Sequence, residues 1–358
     1  MQPRNNPRLM TTSAQNTITC RDLWQVFGEK AEQRLADALS RSNDPNDVSQ
    51  SLLSHNLIPA VRNVSFDVKQ GELFVIMGLS GSGKSTLIRC LSRLVEVTSG
   101  QISIEGEDIL AASKKRMTEL RRSTLGMVFQ HFGLLPHMSV IDNVAFPLKV
   151  AGLSKRERHK HVLSIIHLVG LEGREHAFPR ELSGGQRQRV GIARSLAGDC
   201  SVWFLDEPFS ALDPLIRRQL QDEFLEVRRK FNKTIVFITH DITEALKLAD
   251  RIAIMRDGEI VQIGTPAEIV LSPVNAYVRE FSKDVATGRY ATVANIMQKG
   301  VQGDLESAPR VQSTMSIDAA LAMSSAHLAP LEVEDDTGQL IGTVSPKDLA
   351  DAALRDAS

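Results

Sequence analysis

Apolar residues along this chain fall into two rhythms. "ELFVIM" (72–77), "SVWFLD" (201–206), "TIVFIT" (234–239) and "RIAIM" (251–255) are nearly continuous apolar runs. Strands read this way when both faces of their sheet are covered. Longer stretches with helical spacing lie between them. From about Gly71 to Gly264 the pattern therefore predicts strands alternating with helices, hence a mainly parallel α/β sheet. "VRNVSFDV" (61–68) alternates apolar and polar positions instead, as a half-buried strand does. The strand-like start "TITCRDLWQVFG" is followed by a polar, helix-prone insert from Glu29 to about Leu57. His131 to Arg180 shows no strand pattern and reads as an all-helical insertion. "MRDGEIVQIG" predicts a hairpin with Asp257-Gly258 at its turn. After "NAYVREFSKDV" the character changes. Tyr290 to Ser358 reads as helix, loop, helix, and then a hairpin leading into a helix that Ser345 caps with Pro346 in its first turn. This predicts a separate small α+β domain. The polar stretch 1–17 reads as a disordered lead-in.

Composition narrows the class. The chain has 358 residues, 42% hydrophobic and 24% charged, as ordinary globular proteins are. Its 42 basic and 43 acidic residues nearly cancel, so no bulk field favours nucleic acid. Three scattered cysteines, Cys20, Cys90 and Cys200, fit neither a disulfide framework nor a zinc site and suit a reducing cytosol. No apolar run approaches the roughly 20 residues of a membrane span, and the N-terminus lacks the apolar core of a signal peptide.

The chemistry begins at "GLSGSGKST", Gly78-Leu79-Ser80-Gly81-Ser82-Gly83-Lys84-Ser85-Thr86, which follows the strand "ELFVIM" and precedes a helical stretch. In that context the glycines let backbone N–H groups curl round phosphates, Lys84 reaches the terminal phosphates and the Ser85 hydroxyl suits Mg²⁺. The strand "SVWFLD" ends in Asp206, with Glu207 next. A carboxylate at a strand tip beside a phosphate loop suits Mg²⁺, and Glu207 is then placed to polarise the attacking water. "TIVFITHD" ends the next strand with His240. A lone histidine at a strand end is commonly structural, but carboxyl ends of strands in such a sheet face the ligand, so His240 is a candidate for holding the water and Glu207 in register.

"LSGGQRQRVGIARSL" poses a question. Ser183 and Gln186 form a capping box, yet Gly184 and Gly185 in the first turn cost helix stability. A glycine-opened helix start suits an anion, although the chain already has a phosphate loop upstream.

"GLSGSGKST", "VFQ" with Gln130, "LSGGQ", "FLDEP", "SALD" and "THD", in this order, resemble the ATP-binding subunit of an ABC transporter from about Cys20 to Pro273. The resemblance implies a P-loop ABC ATPase domain over residues 18–275, with a helical subdomain at about 131–182. It implies that two copies sandwich two ATP molecules, each held between the phosphate loop of one copy and Ser183, Gly184 and Gly185 of the other. By position, Phe27 stacks on adenine, with Trp24 as the alternative; Gln130 senses Mg²⁺ and the water; and Asp213 shapes the dimer interface. "HFGLLPHMSVIDNVAFPL" lies where the family docks its membrane subunit. The 29–57 insert and the run from "FSALDPL" to "TPAEIV" are similar to the glycine betaine/L-proline (quaternary amine) uptake family, whose ATP-binding members sit at the cytoplasmic face of the membrane and work with two transmembrane permease subunits and a periplasmic or extracellular substrate-binding protein. The expected activity is ATP hydrolysis with Mg²⁺, driving uptake of such solutes; the alternatives are import of another polar solute or a non-transport ABC ATPase. Residues 290–358 resemble a cystathionine-β-synthase (CBS) module, of which relatives carry a pair.

Overall fold

A computed structural model describes residues 16–128, 133–198, 200–210, 212–231, 233–283, 285–300, 308–327 and 330–353. The chain begins β1 (Asn16–Phe27), α1 (Ala31–Arg41), α2 (Pro45–Leu53), β2 (Ile58–Lys69), β3 (Leu73–Met77), α3 (Lys84–Leu91), β4 (Ser99–Ile104), β5 (Glu107–Asp108), α4 (Lys114–Ser123) and β6 (Leu125–Val128). It continues α5 (Val140–Val144), α6 (Phe146–Val150), α7 (Lys155–Leu168), α8 (Gly184–Ala197), β7 (Val202–Asp206), α9 (Pro214–Phe231), β8 (Thr234–Thr239), α10 (Ile242–Leu248), β9 (Arg251–Arg256) and β10 (Glu259–Gly264). It closes α11 (Pro266–Leu271), α12 (Ala276–Ser282), β11 (Gln298–Lys299), β12 (Arg310–Gln312), α13 (Ile317–His327), β13 (Leu331–Glu334), β14 (Leu340–Val344) and α14 (Pro346–Ala353).

The central sheet has six strands in the order β10-β9-β3-β8-β7-β6. All its pairings are parallel except the β9–β10 hairpin. The continuous apolar runs have the expected cause. On β3, Leu73, Val75 and Met77 face one core while Phe74 and Ile76 face the other; on β7, Trp203 and Leu205 oppose Val202 and Phe204 in the same way. One face is covered by a second sheet, β2-β1-β4-β5, which is antiparallel. There Val61, Val64, Phe66 and Val68 of β2 point inward, so the alternation of "VRNVSFDV" is that of a strand wet on one side. The other core contains Val140, Val144, Val162 and Val190 of the helices α5, α7 and α8. No strand occurs among the described residues between 133 and 182, in keeping with a helical insertion.

The 29–57 insert is two helices. Leu35 and Ala38 of α1 and Val48 and Leu52 of α2 bury against Trp24 and Val26. Arg62 ties α2 down, donating to Asn46 Oδ1 at 2.9 Å and pairing with Glu259 at 3.0 Å.

The C-terminal segment forms a third sheet, β11-β14-β13-β12, with α13 and α14 packed against it. Ser345 caps α14, accepting from Asp348 N at 3.1 Å. The cluster includes Ala267 of α11, with Leu271 of the same helix packed against it, so this unit sits directly on α11.

Candidate active site

β3, β8 and β7 are neighbours and parallel. Their carboxyl ends therefore bring together the loop after Met77, the pair Asp206-Glu207 and His240, three segments distant in sequence.

The loop after β3 is shaped for close backbone approach. Gly81 and Gly83 have φ of +81° and +98°, in the left-handed region that favours glycine. A Cβ on Gly78 would collide with Met255 O, and one on Gly83 with Ala60 O. The loop passes straight into α3, whose first residue is Lys84. Lys84 is buried, and its Nζ donates to the carbonyls of Gly78 and Leu79, both at 2.9 Å. Burial lowers its pKa, while the nearby Glu207 and Asp206 carboxylates act the other way. The ammonium is thus held inside the cradle by the loop's own carbonyls. Ser82 is buried, Leu79, Ser80 and Gly81 are exposed, and Thr86 is half-buried.

Ser85 Oγ donates to Asp206 Oδ1 at 3.0 Å. Asp206 is 2% exposed, and burial raises its pKa against the opposing effects of Ser85, Arg89 and Lys84. A buried carboxylate paired with a hydroxyl beside a phosphate cradle is a hard oxygen donor set, which fits Mg²⁺. Glu207 adopts φ +46°, an uncommon conformation for a residue with a Cβ. Its amide donates to Ile238 O at 3.1 Å, and its Oε2 lies 3.2 Å from His240 Nδ1. The Glu207 side chain is 17% exposed and that of His240 58%, so the pair opens to solvent on the histidine side.

Two features were not legible in the spacing. Asp241 caps α10, accepting from Thr243 N and Glu244 N, and its other oxygen pairs with Arg217 of α9 at 3.2 Å. The β9–β10 turn clamps the phosphate loop, with Gly258 N donating to Ser82 O at 3.0 Å. Only the sheet order makes these segments neighbours.

The glycine-opened helix is formed as its capping pattern predicts. Ser183 N donates to Gln186 Oε1 at 3.0 Å and Gln186 N to Ser183 Oγ at 3.2 Å. The N–H groups of Gly184 and Gly185, first in α8, have no intrahelical partner. They border a cleft of about 630 Å³ lined also by Leu212, Asp213, Ile216 and Glu223. No residue of the 78–86 loop lines it. Gly185 is tightly set, since a Cβ there would lie 3.3 Å from Leu212 Cδ2. Asp213 caps α9, accepting from Leu215 N and Ile216 N.

Of the two aromatics near the start of the chain, Trp24 is buried in the core and Phe27 is 41% exposed at the end of β1, opposite Ile58. Ala60, on the same strand as Ile58, abuts Gly83 through its carbonyl. Gln130 lies outside the described residues.

Comparison with known proteins bears on this geometry. The ABC transporter family model matches residues 61–210. The trimethylamine N-oxide transport system ATP-binding protein of Pelagibacter ubique is 48% identical over 329 residues, covering 92% of this chain and 95% of that protein. The glycine betaine transport ATP-binding protein of Bacillus subtilis is 42% identical over 337 residues, covering 93% and 77%. A solved dimeric ATP-binding cassette in a post-hydrolysis state, bound to ADP and Pi, aligns at TM-score 0.59 and 29% identity over 70% of this chain and 98% of that one. The phosphate loop, the Asp206-Glu207 strand end and the glycine-opened helix thus stand in a chain that belongs to the ABC transporter family, as an ATP-binding subunit.

Proposed function

We propose that this chain is the ATP-hydrolysing subunit of an importer for small methylated amines such as trimethylamine N-oxide and glycine betaine, and that two copies enclose two ATP molecules. The carrying observation is the separation of the two anion sites. The bare N–H groups of Gly184 and Gly185 open on a cleft that the chain's own phosphate loop does not enter. A single copy therefore presents two half-sites, and a second copy completes both.

In the complete site the loop 78–86 cradles the phosphates, and Lys84 turns from the Gly78 and Leu79 carbonyls to the terminal phosphate. Ser85 and Asp206 hold Mg²⁺, with Gln130 as the family's further ligand; bound there, the metal neutralises charge on the phosphate oxygens. Glu207 orients a water, and His240, hydrogen-bonded to it, fixes the carboxylate. The water oxygen bonds to the γ-phosphorus, the bond to the bridging oxygen breaks, and ADP and inorganic phosphate leave. Ser183, Gly184, Gly185 and Gln186 of the second copy donate to the γ-phosphate, Asp213 shapes the contact between copies, and Phe27 stacks on the adenine. Closure draws the helical subdomains together and moves two transmembrane permease subunits, which a substrate-binding protein supplies from outside. Among the described residues no helix is long and apolar enough to cross a membrane, which suits a peripheral subunit at the cytoplasmic face. Residues 18–275 make up the ATPase domain and 290–358 a CBS-like regulatory module, supported by its order β12-α13-β13-β14-α14.

Glu207→Gln tests the site. It is expected to lower turnover by about 10²–10⁴-fold and to accumulate an ATP-bound dimer by size-exclusion chromatography. A variant that hydrolyses ATP at the parental rate removes Glu207 from this role. Uptake of labelled trimethylamine N-oxide and glycine betaine by the reconstituted complex tests the cargo.

A further inference from the structure

The phosphate loop is held from behind by residues of the last part of the ATPase domain. Gly78 is packed so closely on Met255 O that no side chain fits there, and Gly258 N donates to Ser82 O. Met255 O in turn accepts from the Tyr277 hydroxyl at 3.2 Å. Burial pushes the Tyr277 phenol up. Its hydroxyl thus holds the very carbonyl on which Gly78 is packed. The ring is fixed in place: the Arg256 guanidinium lies 4.8 Å from its centroid, and Phe281 meets it edge-on at 5.1 Å.

Tyr277 sits on α12, which leads into the C-terminal unit. Val278 and Val285 are buried in the ATPase core. The 3₁₀ turn Thr287–Arg289 follows, with Thr287 and Gly288 buried. A Cβ at Gly288 would collide with Asp318 Oδ1 in the first turn of α13, so turn and C-terminal unit are in close contact. A chain of packed elements thus runs from α13 through the turn and α12 to the phosphate loop.

We propose that Tyr277 is a positioning residue for the phosphate loop, and that through α12 it couples the C-terminal unit to the loop's affinity for nucleotide. The inference rests on the reading that residues 78–86 bind the ATP phosphates. By fixing Met255 O against Gly78, the hydroxyl limits how far the start of the loop moves, and so keeps the loop's N–H groups directed at the ligand. A displacement of the C-terminal unit shifts α12 and loosens that restraint.

The test uses the full-length protein and MgADP, which occupies the loop without requiring the second copy. Tyr277→Phe keeps the ring and its stacking and removes only the hydroxyl. Its Kd for MgADP by calorimetry is expected to rise about threefold to tenfold, the scale of one hydrogen bond. The KM for ATP is expected to rise by a similar factor with kcat within about twofold, a split that a general loss of folded protein does not produce. An unchanged Kd overturns the positioning role. Absence of MgADP binding by the parent protein instead overturns the nucleotide reading beneath it. Gly288→Val, which displaces the Asp318 side chain and crowds the start of α13, is expected to weaken MgADP binding in the parent and to add nothing in the Tyr277→Phe background; Gly288→Ala is the milder variant if valine prevents folding. Additive effects of the two substitutions overturn the coupling.

Discussion

Asp206 lies almost wholly out of solvent with Ser85 as its hydrogen-bonded partner, and burial raises its pKa. Glu244, paired with Gln221, is raised for the same reason. An acid whose pKa is higher folded than unfolded keeps its proton longer in the native state. The stability it contributes is present below the ordinary carboxylate range and is lost as pH rises through the raised value. The nucleotide-free protein is therefore expected to lose thermal stability as pH rises from the ordinary range into that of these two carboxyls. Asp206→Asn keeps an acceptor for Ser85 and removes the buried charge. It is expected to raise the apparent melting temperature at neutral pH by about 2–4 °C per kcal/mol relieved, to flatten part of the pH slope, and to abolish hydrolysis. A melting temperature that falls, or a slope that is unaltered, refutes this account. The residue types of the site were readable one by one, because each belongs to a motif. The φ of +46° at Glu207 and the 3.2 Å contact with His240 were not, since both depend on how the ends of β7 and β8 are set side by side.

At the scale of elements, local chemistry was the most legible part. The capping boxes of α8 and the asparagine-, serine- and threonine-capped helices form where side chain and backbone lie within a few residues of each other. The β9–β10 turn takes positive φ at both Asp257 and Gly258, as the Asp-Gly dipeptide implies. Ser183→Ala removes one half of the α8 box and is expected to cost about 1 kcal/mol, measured by urea unfolding. Because it frees the Gln186 amide, and Ser183 itself faces the cleft, steady-state ATPase should fall more than this stability loss alone predicts. Equal losses in both would return Ser183 to a purely structural role. What local chemistry did not reveal was pairing. The alternation of "VRNVSFDV" marks β2 as wet on one side but does not say that β1 and β4 join it in a separate antiparallel sheet.

At the scale of the molecule, the two half-sites give a kinetic prediction. If each reaction centre needs residues from two copies, specific ATPase activity rises with protein concentration at low concentration and levels off once dimers dominate. A specific activity independent of concentration down to the nanomolar range, with the protein monomeric by light scattering, refutes the shared site. The same scale separates the roles of the insertions. The 29–57 helices bury their apolar faces on β1 and are secured by Arg62, so they belong to the body of the ATPase domain. The C-terminal unit shares its core with α11, which places it within mechanical reach of α12 and Tyr277.

Sequence by itself determined which segments could be strands or helices, where helices begin, which loop has the glycines to wrap a phosphate and which side chains are candidates for the chemistry. These follow from local backbone sterics, side-chain periodicity and short-range hydrogen bonds. Only the tertiary structure decided that Trp24 is core while Phe27 is exposed, that Met255, Gly258 and Tyr277 stand behind the phosphate loop, and that the Gly184-Gly185 cleft lies apart from it. Each of these depends on strand order and on packing between residues far apart in the chain, which no local pattern encodes.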